Sequence, residues 1–302
     1  MLNAVGARAS YLAYRTGAEL ARIVPAALAA PAARIVGRAI SLGMPSRRRQ
    51  VERNLRRATA GELSGLALRK AVGETFDSYT RYWLELFRLP NEVGGELDLD
   101  IIGKEHLSRA MDQGSGAILA LPHVGGWEFA GAWLTTQGWP PTVVVEPIEP
   151  PDLFEWFAST RRALGMTVVE LGPEAGSTVL RALRENRIVC LLCDRDLTGD
   201  GVEVVFFDEV TTLPAGPATL ALRTGAPLLP AAVYFGPDGG HHAVVQPPLP
   251  THREGRLRDD VTRVTQALAH SFEELIRAAP EQWHLMQPNW PSDRMNGSGA
   301  TS

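Results

Sequence analysis

From about residue 97 onward, short runs rich in β-branched and aliphatic residues alternate with segments of helical length. Five of these runs are expected to be strands: 97–102, 117–121, 142–145, 167–170 and 188–192. Helical segments lie between them, at about 106–113, 129–137, 153–164 and 178–185. Strands that alternate with helices of this length indicate parallel pairing through crossover helices. The sequence therefore predicts an α/β fold with a central, largely parallel mixed sheet flanked by helices.

The C-terminal third predicts a different local arrangement. Residues 227–234 and 243–246 flank the turn sequence Gly236-Pro-Asp-Gly-Gly240, which is typical of a β-hairpin. His241 and His242 close this turn and are expected at the surface. A long helix over 257–278 follows, and Pro280 stops it. The last residues are small and polar and are expected to form a flexible tail.

The N-terminal part of the chain is strongly basic. The first 70 residues contain 13 Lys and Arg against 3 Asp and Glu, whereas the remainder contains 17 against 31. At 100° per residue, Arg8, Arg15 and Arg22 share one stripe of an amphipathic helix, opposite a face that includes Leu20. A second arginine cluster occupies residues 47–57. The pattern fits either a helix lying on an anionic lipid surface or a helix packed on its own domain.

Several other classes of protein are excluded by the same region and by the cysteine count. The apolar run 23–33 contains two prolines and is shorter than the roughly 20 residues that a spanning helix needs. It lacks a clear cleavage site, so the chain is not expected to be secreted. Aromatic residues do not alternate with the arginines, so the pattern favours lipid over nucleic acid as the partner. Cys190 and Cys193 lie three apart on one predicted strand and should not pair.

Three parts of the chain are predicted from these patterns. Residues 1–45 form basic, amphipathic, membrane-associating helices. Residues 46–292 form a single α/β domain, and residues 293–302 form the flexible tail. No serine nucleophile elbow, phosphate-binding loop, dinucleotide motif or zinc-binding helix motif is present in the sequence. We therefore expect neither a metal nor a tightly bound cofactor.

One segment carries a plausible catalytic centre. An apolar run ends at Pro122, His123 follows directly, and two glycines precede a helix whose first turn contains Glu128. The carboxyl ends of parallel strands are where such folds bind ligands. Within a single helix the two side chains would lie about 140° apart, so they converge only if His123 is in the turn.

The residue types in this segment suit acyl transfer. A histidine, with an unperturbed pKa of about 6.5, can act as general base for an alcohol that attacks an ester or thioester. Gly125 and Gly126 permit a tight turn and are expected to offer backbone N–H groups to a developing oxyanion. The alternative is a histidine at a strand end that merely bonds to the backbone.

The segment resembles the His-x4-Asp/Glu signature of the glycerolipid acyltransferases. Further segments resemble, in order and spacing, the family of lipid A late acyltransferases and phosphatidylinositol mannoside acyltransferases, and most of all its mycobacterial mannoside branch. They are Glu146-Pro147, Arg161-Arg162 ahead of Gly165, Cys193-Asp194-Arg195-Asp196, and the stretches 201–207, 214–217 and 280–283. The resemblance covers about residues 45–292. It implies a glycerolipid acyltransferase-like α/β fold.

The resemblance also implies an activity. A long-chain, palmitoyl-like acyl group would pass from acyl-CoA, a co-substrate, to a mannose hydroxyl of a phosphatidylinositol mannoside. The protein would lie peripherally on the cytoplasmic face of the inner cell membrane, against anionic lipid. His123 would be the general base, and either Glu128 or Asp194 would orient its ring. Substrate-binding residues would be Glu146, Arg161, Arg162 and Glu203.

Three alternatives remain open at this point. The same chemistry could serve another acceptor, such as a lipid A precursor or a lysophospholipid. Water could replace the acceptor, which would make the protein an acyl-CoA thioesterase. The fold could instead bind lipid without turnover. An acyl chain needs an apolar groove in any of these cases, and the candidate walls are Trp127, Phe129, Trp133, Phe154, Trp156 and Phe157.

Overall fold

Four helices precede the first strand in the structure, a computed structural model that describes residues 4–92, 95, 97–236 and 238–295. Pro25 separates the first two helices with an extended backbone, and Pro45 begins the third at a position that needs no N–H donor. The arginine cluster predicted from the sequence lies on the third helix. The four helices are α1 (Ala4–Ile23), α2 (Ala26–Gly43), α3 (Pro45–Ala58) and α4 (Gly65–Glu92).

Beyond α4, strands and helices alternate as the sequence predicts. Four predicted strands have the predicted bounds, and the strand predicted at 97–102 is shorter. The elements are β1 (Asp100–Ile102), α5 (Lys104–Asp112), β2 (Ala117–Leu121), α6 (Trp127–Thr136), β3 (Thr142–Val145), α7 (Pro151–Ala163), β4 (Thr167–Glu170), α8 (Ala175–Arg184), β5 (Ile188–Leu192), β6 (Val202–Phe206), β7 (Glu209–Leu213), α9 (Gly216–Thr224), β8 (Leu228–Phe235), β9 (His241–Val245), α10 (Leu257–Arg277) and α11 (Pro291–Met295).

Seven of the strands form one sheet in the order β1-β9-β8-β2-β5-β3-β4. Neighbouring strands in it pair in parallel, except for β8 and β9, which are antiparallel. The α/β class with a largely parallel mixed sheet is therefore confirmed. Strands β6 and β7 form a separate antiparallel hairpin.

The register between β2 and β5 determines which side chains meet at the sheet edge. Leu121 at the end of β2 is paired with Leu192 at the end of β5. The backbone N–H of Cys193 continues the pairing by donating to the carbonyl of Leu121 at 3.0 Å. His123 and Asp194 each lie two residues beyond these paired ends, so the chain brings them to the same level at adjacent strand ends.

Both faces of the sheet are covered by helices. Alternate residues of β2 point to opposite faces: Ile118 lies in one apolar cluster and Leu119 in another. Helices α8, α9 and α10 cover the first face, and α5 and α6 cover the second. Strand β2 is buried along its whole length, which explains its nearly continuous apolar sequence.

The predicted hairpin is present as β8 and β9, although Pro237 of its turn lies outside the described residues. The surface position expected for His241 is wrong. Its side chain is only 6% exposed, its Nε2 lies 2.8 Å from Glu85 Oε2, and its ring stacks on Phe129. Helix α4, which carries Glu85, lies over the hairpin and buries this histidine.

The predicted tail also differs from the structure. Residues 293–295 belong to α11, and Asp293 is buried. Its carboxylate accepts a hydrogen bond from Gln50 Nε2 at 2.8 Å and forms an ion pair with Arg57 at 2.9 Å. These contacts to α3 order the start of the segment that was expected to be flexible. Residues 296–302, like residues 1–3 of the basic segment, lie outside the described part of the chain.

Helices α1 and α2 pack with their small residues inward and their large residues outward. Ala18, Ala33 and Ser41 are buried. We call the outward group the aliphatic surface: Leu12, Leu20, Ile23, Leu28, Ile35, Val36 and Leu42, each between 49% and 79% exposed. None of the described helices is both long and apolar enough to cross a membrane.

The arginine stripe predicted on α1 is only partly available to a partner. Arg8 and Arg15 are exposed. Arg22 instead donates from Nε to the carbonyl of Phe87 on α4 at 2.9 Å, so its assignment to a lipid-facing stripe is wrong. The reason is that Arg22 lies on the side of α1 that faces α4.

Close packing of α2 on α4 depends on Gly37. A Cβ at this position would lie 2.7 Å from Thr80 Oγ1 and 2.9 Å from the carbonyl oxygen of Phe76. We expect Gly37→Ala to lower the free energy of unfolding by about 1–3 kcal/mol, because the helices must separate. Gly43→Ala is the matched control, since its Cβ would meet nothing within 4 Å.

The control variant is expected to be neutral or to stabilise the protein by up to about 1 kcal/mol, the usual gain from removing a helical glycine. Urea unfolding of both variants checks this, and equal stabilities would contradict the packing explanation.

Candidate active site

His123 and Asp194 form a hydrogen-bonded pair at the carboxyl ends of β2 and β5. His123 Nδ1 lies 2.5 Å from Asp194 Oδ1. The other carboxylate oxygen, Oδ2, accepts the backbone N–H of His123 at 3.1 Å and the indole N–H of Trp283 at 2.8 Å. Because Nδ1 is occupied by the carboxylate, Nε2 is the ring nitrogen available to a substrate.

Asp194 is held ionised although it is completely buried. Burial alone would raise the pKa of this carboxyl group. The charge of the His123 ring and the hydrogen bonds from His123 and Trp283 outweigh burial and lower the pKa below its usual value. The pair can therefore stabilise a proton on the imidazole, as the acid of a catalytic triad does.

Glu128 lies in the first turn of α6 and has a different partner. Its carboxylate accepts hydrogen bonds from Arg161 Nε at 2.9 and 3.2 Å, has a further contact with Arg161 Nη2, and accepts the hydroxyl of Tyr82 at 3.3 Å. Burial would lower the pKa of Arg161, but the charge of Glu128 outweighs it and raises that pKa. Of the two carboxylates considered from the sequence, the structure places Asp194 against the imidazole.

The two glycines after His123 form the expected turn but do not leave free donors. Gly125 has a φ of +59° and lies so close to β8 that a Cβ would be 2.1 Å from the carbonyl oxygen of Val233. Its N–H donates to the carbonyl of Gln282 at 3.0 Å, and that of Gly126 donates to Val233 at 3.1 Å. The prediction that these N–H groups receive an oxyanion is therefore wrong, because the turn is bonded to β8 and to the segment before Trp283.

The imidazole opens onto a cavity of about 730 Å³. Trp127, Phe154 and Phe157, three of the predicted aromatic walls, line it. A smaller apolar cavity of about 90 Å³ lies between the sheet and helices α5 and α6, and Trp133 lines it. Both cavities share a set of wall residues: Trp127, Val144, Val145, Arg161 and Leu192. Phe129 and Trp156 line neither cavity; they pack on His241 and on Phe87 and Phe157 respectively.

The remaining predicted substrate residues divide into two groups. Glu146 lines the large cavity, where it accepts a hydrogen bond from Arg195 Nη2 at 2.8 Å. Arg162 is half exposed outside that cavity and pairs with Glu155 at 2.7 Å, because adjacent helical residues point about 100° apart. Glu203 is exposed on the separate hairpin, on β6. The substrate-binding prediction therefore fails for Arg162 and Glu203.

His284 is a site residue that the sequence reasoning missed. It lines the large cavity and is buried; its Nε2 lies 2.8 Å from Ser78 Oγ, and its Nδ1 has no hydrogen-bond partner among the described residues. Burial, and then the nearby His123, lower its pKa to about 3 despite the charge of Asp194. The sequence does contain a signal that could have identified His284: it directly follows the stretch 280–283, which resembles the acyltransferase family.

The two cysteines are free thiols, as expected. Burial raises the pKa of Cys190 to about 12, so this thiol is not a nucleophile at neutral pH. Within the described ranges, no group of three or more His, Cys, Asp or Glu side chains is placed to hold a metal ion.

Comparison with known proteins shows the family to which the chain belongs. The family model for bacterial lipid A biosynthesis acyltransferase matches residues 8–292. The chain therefore belongs to the bacterial lipid A biosynthesis acyltransferase family. It is 40% identical over 298 residues to a phosphatidylinositol mannoside acyltransferase of Mycolicibacterium smegmatis, covering 96% of this chain and 94% of that protein.

Two further relatives show how similarity is distributed. A phosphatidylinositol mannoside acyltransferase of Mycobacterium tuberculosis is 43% identical over 226 residues, which cover 72% of this chain and 70% of that protein. A lipid A biosynthesis acyltransferase of Haemophilus influenzae is 26% identical over 187 residues, covering 61% and 56%. The chain is thus an acyltransferase by family and is more similar to the mycobacterial proteins.

The buried, neutral state of His284 predicts a pH-dependent stability. An unfolded histidine takes up a proton below a pH of about 6.5, whereas the folded protein resists this until about pH 3. The stabilisation is complete above pH 6.5 and falls by about 1.4 kcal/mol per pH unit as the pH falls toward 3. His284→Gln keeps a polar group near Ser78. We therefore expect its unfolding free energy to decrease less than that of the wild type as the pH is lowered.

Urea unfolding between pH 7 and 4.5 measures that slope. His252→Gln is the matched control, because His252 is 67% exposed and its removal should leave the slope nearly unchanged. Identical slopes for wild type and His284→Gln would contradict the burial of a neutral imidazole.

Proposed function

We propose that this protein transfers a long-chain acyl group from acyl-CoA to a mannose hydroxyl of a phosphatidylinositol mannoside. The observation that carries the proposal is the His123–Asp194 pair, whose imidazole lines a large cavity beside an apolar one. The family membership supports acyl transfer, and the names of the two mycobacterial relatives support the mannoside acceptor.

The proposed reaction proceeds in two stages. His123 Nε2 accepts the proton of the mannose hydroxyl, and the hydroxyl oxygen attacks the thioester carbonyl. The tetrahedral intermediate then expels the CoA thiolate, which takes the proton from the imidazolium. Asp194 stabilises that imidazolium by charge and by its hydrogen bond to Nδ1. No covalent acyl-enzyme is required.

Glu128 acts in this scheme through Arg161. The carboxylate holds the guanidinium where the two cavities meet, so that a positive charge lies beside the point at which a thioester would pass from one to the other. A fixed cation of this kind stabilises the oxyanion of the intermediate, a role that Gly125 and Gly126 do not fill. Glu128 is therefore a positioning residue.

The two cavities suit the two ends of the acyl donor. The small cavity is mostly apolar but, at about 90 Å³, holds only a few carbons of an acyl chain, so the rest of the chain, the sugar headgroup and the remainder of the donor are assigned to the large cavity. His284 contributes a neutral, buried ring to the wall of the large cavity. Glu146 provides a carboxylate acceptor for further sugar hydroxyls.

Kinetics of site variants test this assignment. With palmitoyl-CoA and the mannolipid, we expect His123→Ala to lower kcat by about 10²–10⁴-fold or more, because the base is lost. Asp194→Asn should cost about 10²–10⁴-fold by destabilising the imidazolium. Glu128→Gln should cost less, because Arg161 retains its charge and loses only its anchor. CoA release is measured with and without acceptor.

The exposed His252→Gln variant should retain wild-type turnover. An unchanged rate in His123→Ala would remove this histidine from the mechanism. CoA release that does not require acceptor would identify a thioesterase instead, and preference for a lipid A precursor or lysophospholipid in competition would change the acceptor.

We further propose that residues 1–45 attach the domain at 46–292 peripherally to the anionic cytoplasmic face of the cell membrane. The aliphatic surface of α1 and α2 is flanked by the exposed arginines Arg8, Arg15, Arg34 and Arg38. Large apolar side chains that face outward beside cations are typical of helices lying in a lipid interface.

Vesicle sedimentation tests this attachment. Binding to phosphatidylinositol vesicles should weaken as the salt concentration rises, because salt screens the attraction between the arginines and the anionic headgroups. Ile35 and Leu42 are 70% and 79% exposed, and we expect the double replacement by Ser to weaken binding about 100-fold at constant salt, through lost apolar burial. Ile102→Ser, on β1, is the matched control. Unchanged binding of the double variant would exclude the aliphatic surface as the contact.

A further inference from the structure

The wall of the large cavity is cationic although the protein as a whole is acidic. Its lining includes Arg161, Arg195 and Arg223, against the single carboxylate of Glu146 among the described residues. The chain has a formal net charge of −4, and its excess of acid lies beyond the basic first 70 residues. A cavity lined by one sign of charge concentrates ligands of the opposite sign.

These three arginines differ in how far their charge is already neutralised. Arg161 is buried against Glu128, and Arg195 is bound to Glu146. Arg223, in the last turn of α9, has no carboxylate partner in the part of the chain that the structure describes, and its side chain is exposed at the cavity. The unbalanced positive charge of the cavity is therefore at the α9 end.

The acidic residue that follows Arg195 forms no ion pair with these arginines within the described part of the chain. Asp196 follows Arg195 in sequence, but its carboxylate accepts the backbone N–H groups of Gly199 and Gly201 and the hydroxyl of Thr212, all within about 3 Å. These hydrogen bonds lower the pKa of Asp196 against the effect of its partial burial and keep its oxygens turned into the loop. Arg223 thus remains available to what the cavity binds, and Arg195 lines the same cavity with its charge shared with Glu146.

We propose that Arg223, supported by Arg195 and by the hydroxyl of Thr219 one turn earlier on α9, binds a phosphate group of a substrate. This inference rests on the proposed function, in which both substrates carry phosphate: the nucleotide part of the donor and the phosphodiester of the acceptor. The guanidinium group suits phosphate because it donates parallel hydrogen bonds to two oxygens.

Steady-state kinetics with two donors tests the subsite. Palmitoyl-CoA carries the nucleotide phosphates, and S-palmitoyl-N-acetylcysteamine has the same thioester without them. For Arg223→Gln we expect a KM rise of about tenfold for a phosphate-bearing substrate, with kcat within about twofold, because a charge-assisted hydrogen bond is lost. Arg223→Lys should recover part of the loss. Arg181→Gln, an exposed arginine of α8 outside the cavity wall, is the matched control.

The pattern of KM values identifies the source of the phosphate. A rise for palmitoyl-CoA but not for the truncated thioester assigns the subsite to the donor. A rise for the mannolipid with either donor assigns it to the acceptor. Unchanged KM values for all three substrates would overturn the proposal while leaving the proposed function standing.

Calorimetric titration with CoA separates the two proposals if wild-type protein shows no transfer. Binding that weakens about tenfold in Arg223→Gln would then support the phosphate subsite although the proposed function had failed. If Arg223→Gln, in protein that lacks transfer, binds both CoA and the mannolipid as the wild type does, the subsite is overturned as well.

Discussion

The hydrogen bond between His123 and Asp194 depends on one register in the central sheet. Parallel pairing of β2 with β5 places Leu121 opposite Leu192, and each strand then continues by two residues to a functional side chain. Trp283 completes the arrangement by donating to the same carboxylate. A buried carboxylate without these donors would be costly to keep ionised. The register and the C-terminal segment therefore maintain the charge that the imidazole uses.

The fold was largely predictable from sequence because its signals are local. Strand β2 is buried on both faces and reads as an unbroken apolar run, and four strands have the predicted bounds. The choice between Glu128 and Asp194 was not predictable in this way, because it depends on which strands are neighbours. Sequence order would place β3 next to β2, whereas the sheet inserts β5 between them. This non-local pairing brings Asp194, rather than the motif carboxylate, to the histidine.

Two errors in the sequence reasoning have a common cause. The N–H groups of Gly125 and Gly126 were expected to be free, and His241 was expected at the surface. Each is occupied by an element distant in sequence: β8 and Gln282 bind the glycines, and Glu85 of α4 binds the histidine. Buried polar groups are nearly always paired, so a predicted donor next to a sheet is more often used by the sheet than by a ligand.

The neutral state of His284 has a consequence for the histidine beside it. A positive charge on His284 would oppose the imidazolium that His123 must form, and the mutual effect is visible in the lowering of the His284 pKa by His123. Burial prevents that charge throughout the neutral range, while Asp194, on the other side of His123, carries the opposite charge. The His123 imidazole therefore lies between a fixed anion and a neutral ring. The imidazolium that forms in the proposed reaction therefore has an anion on one side and an uncharged ring on the other.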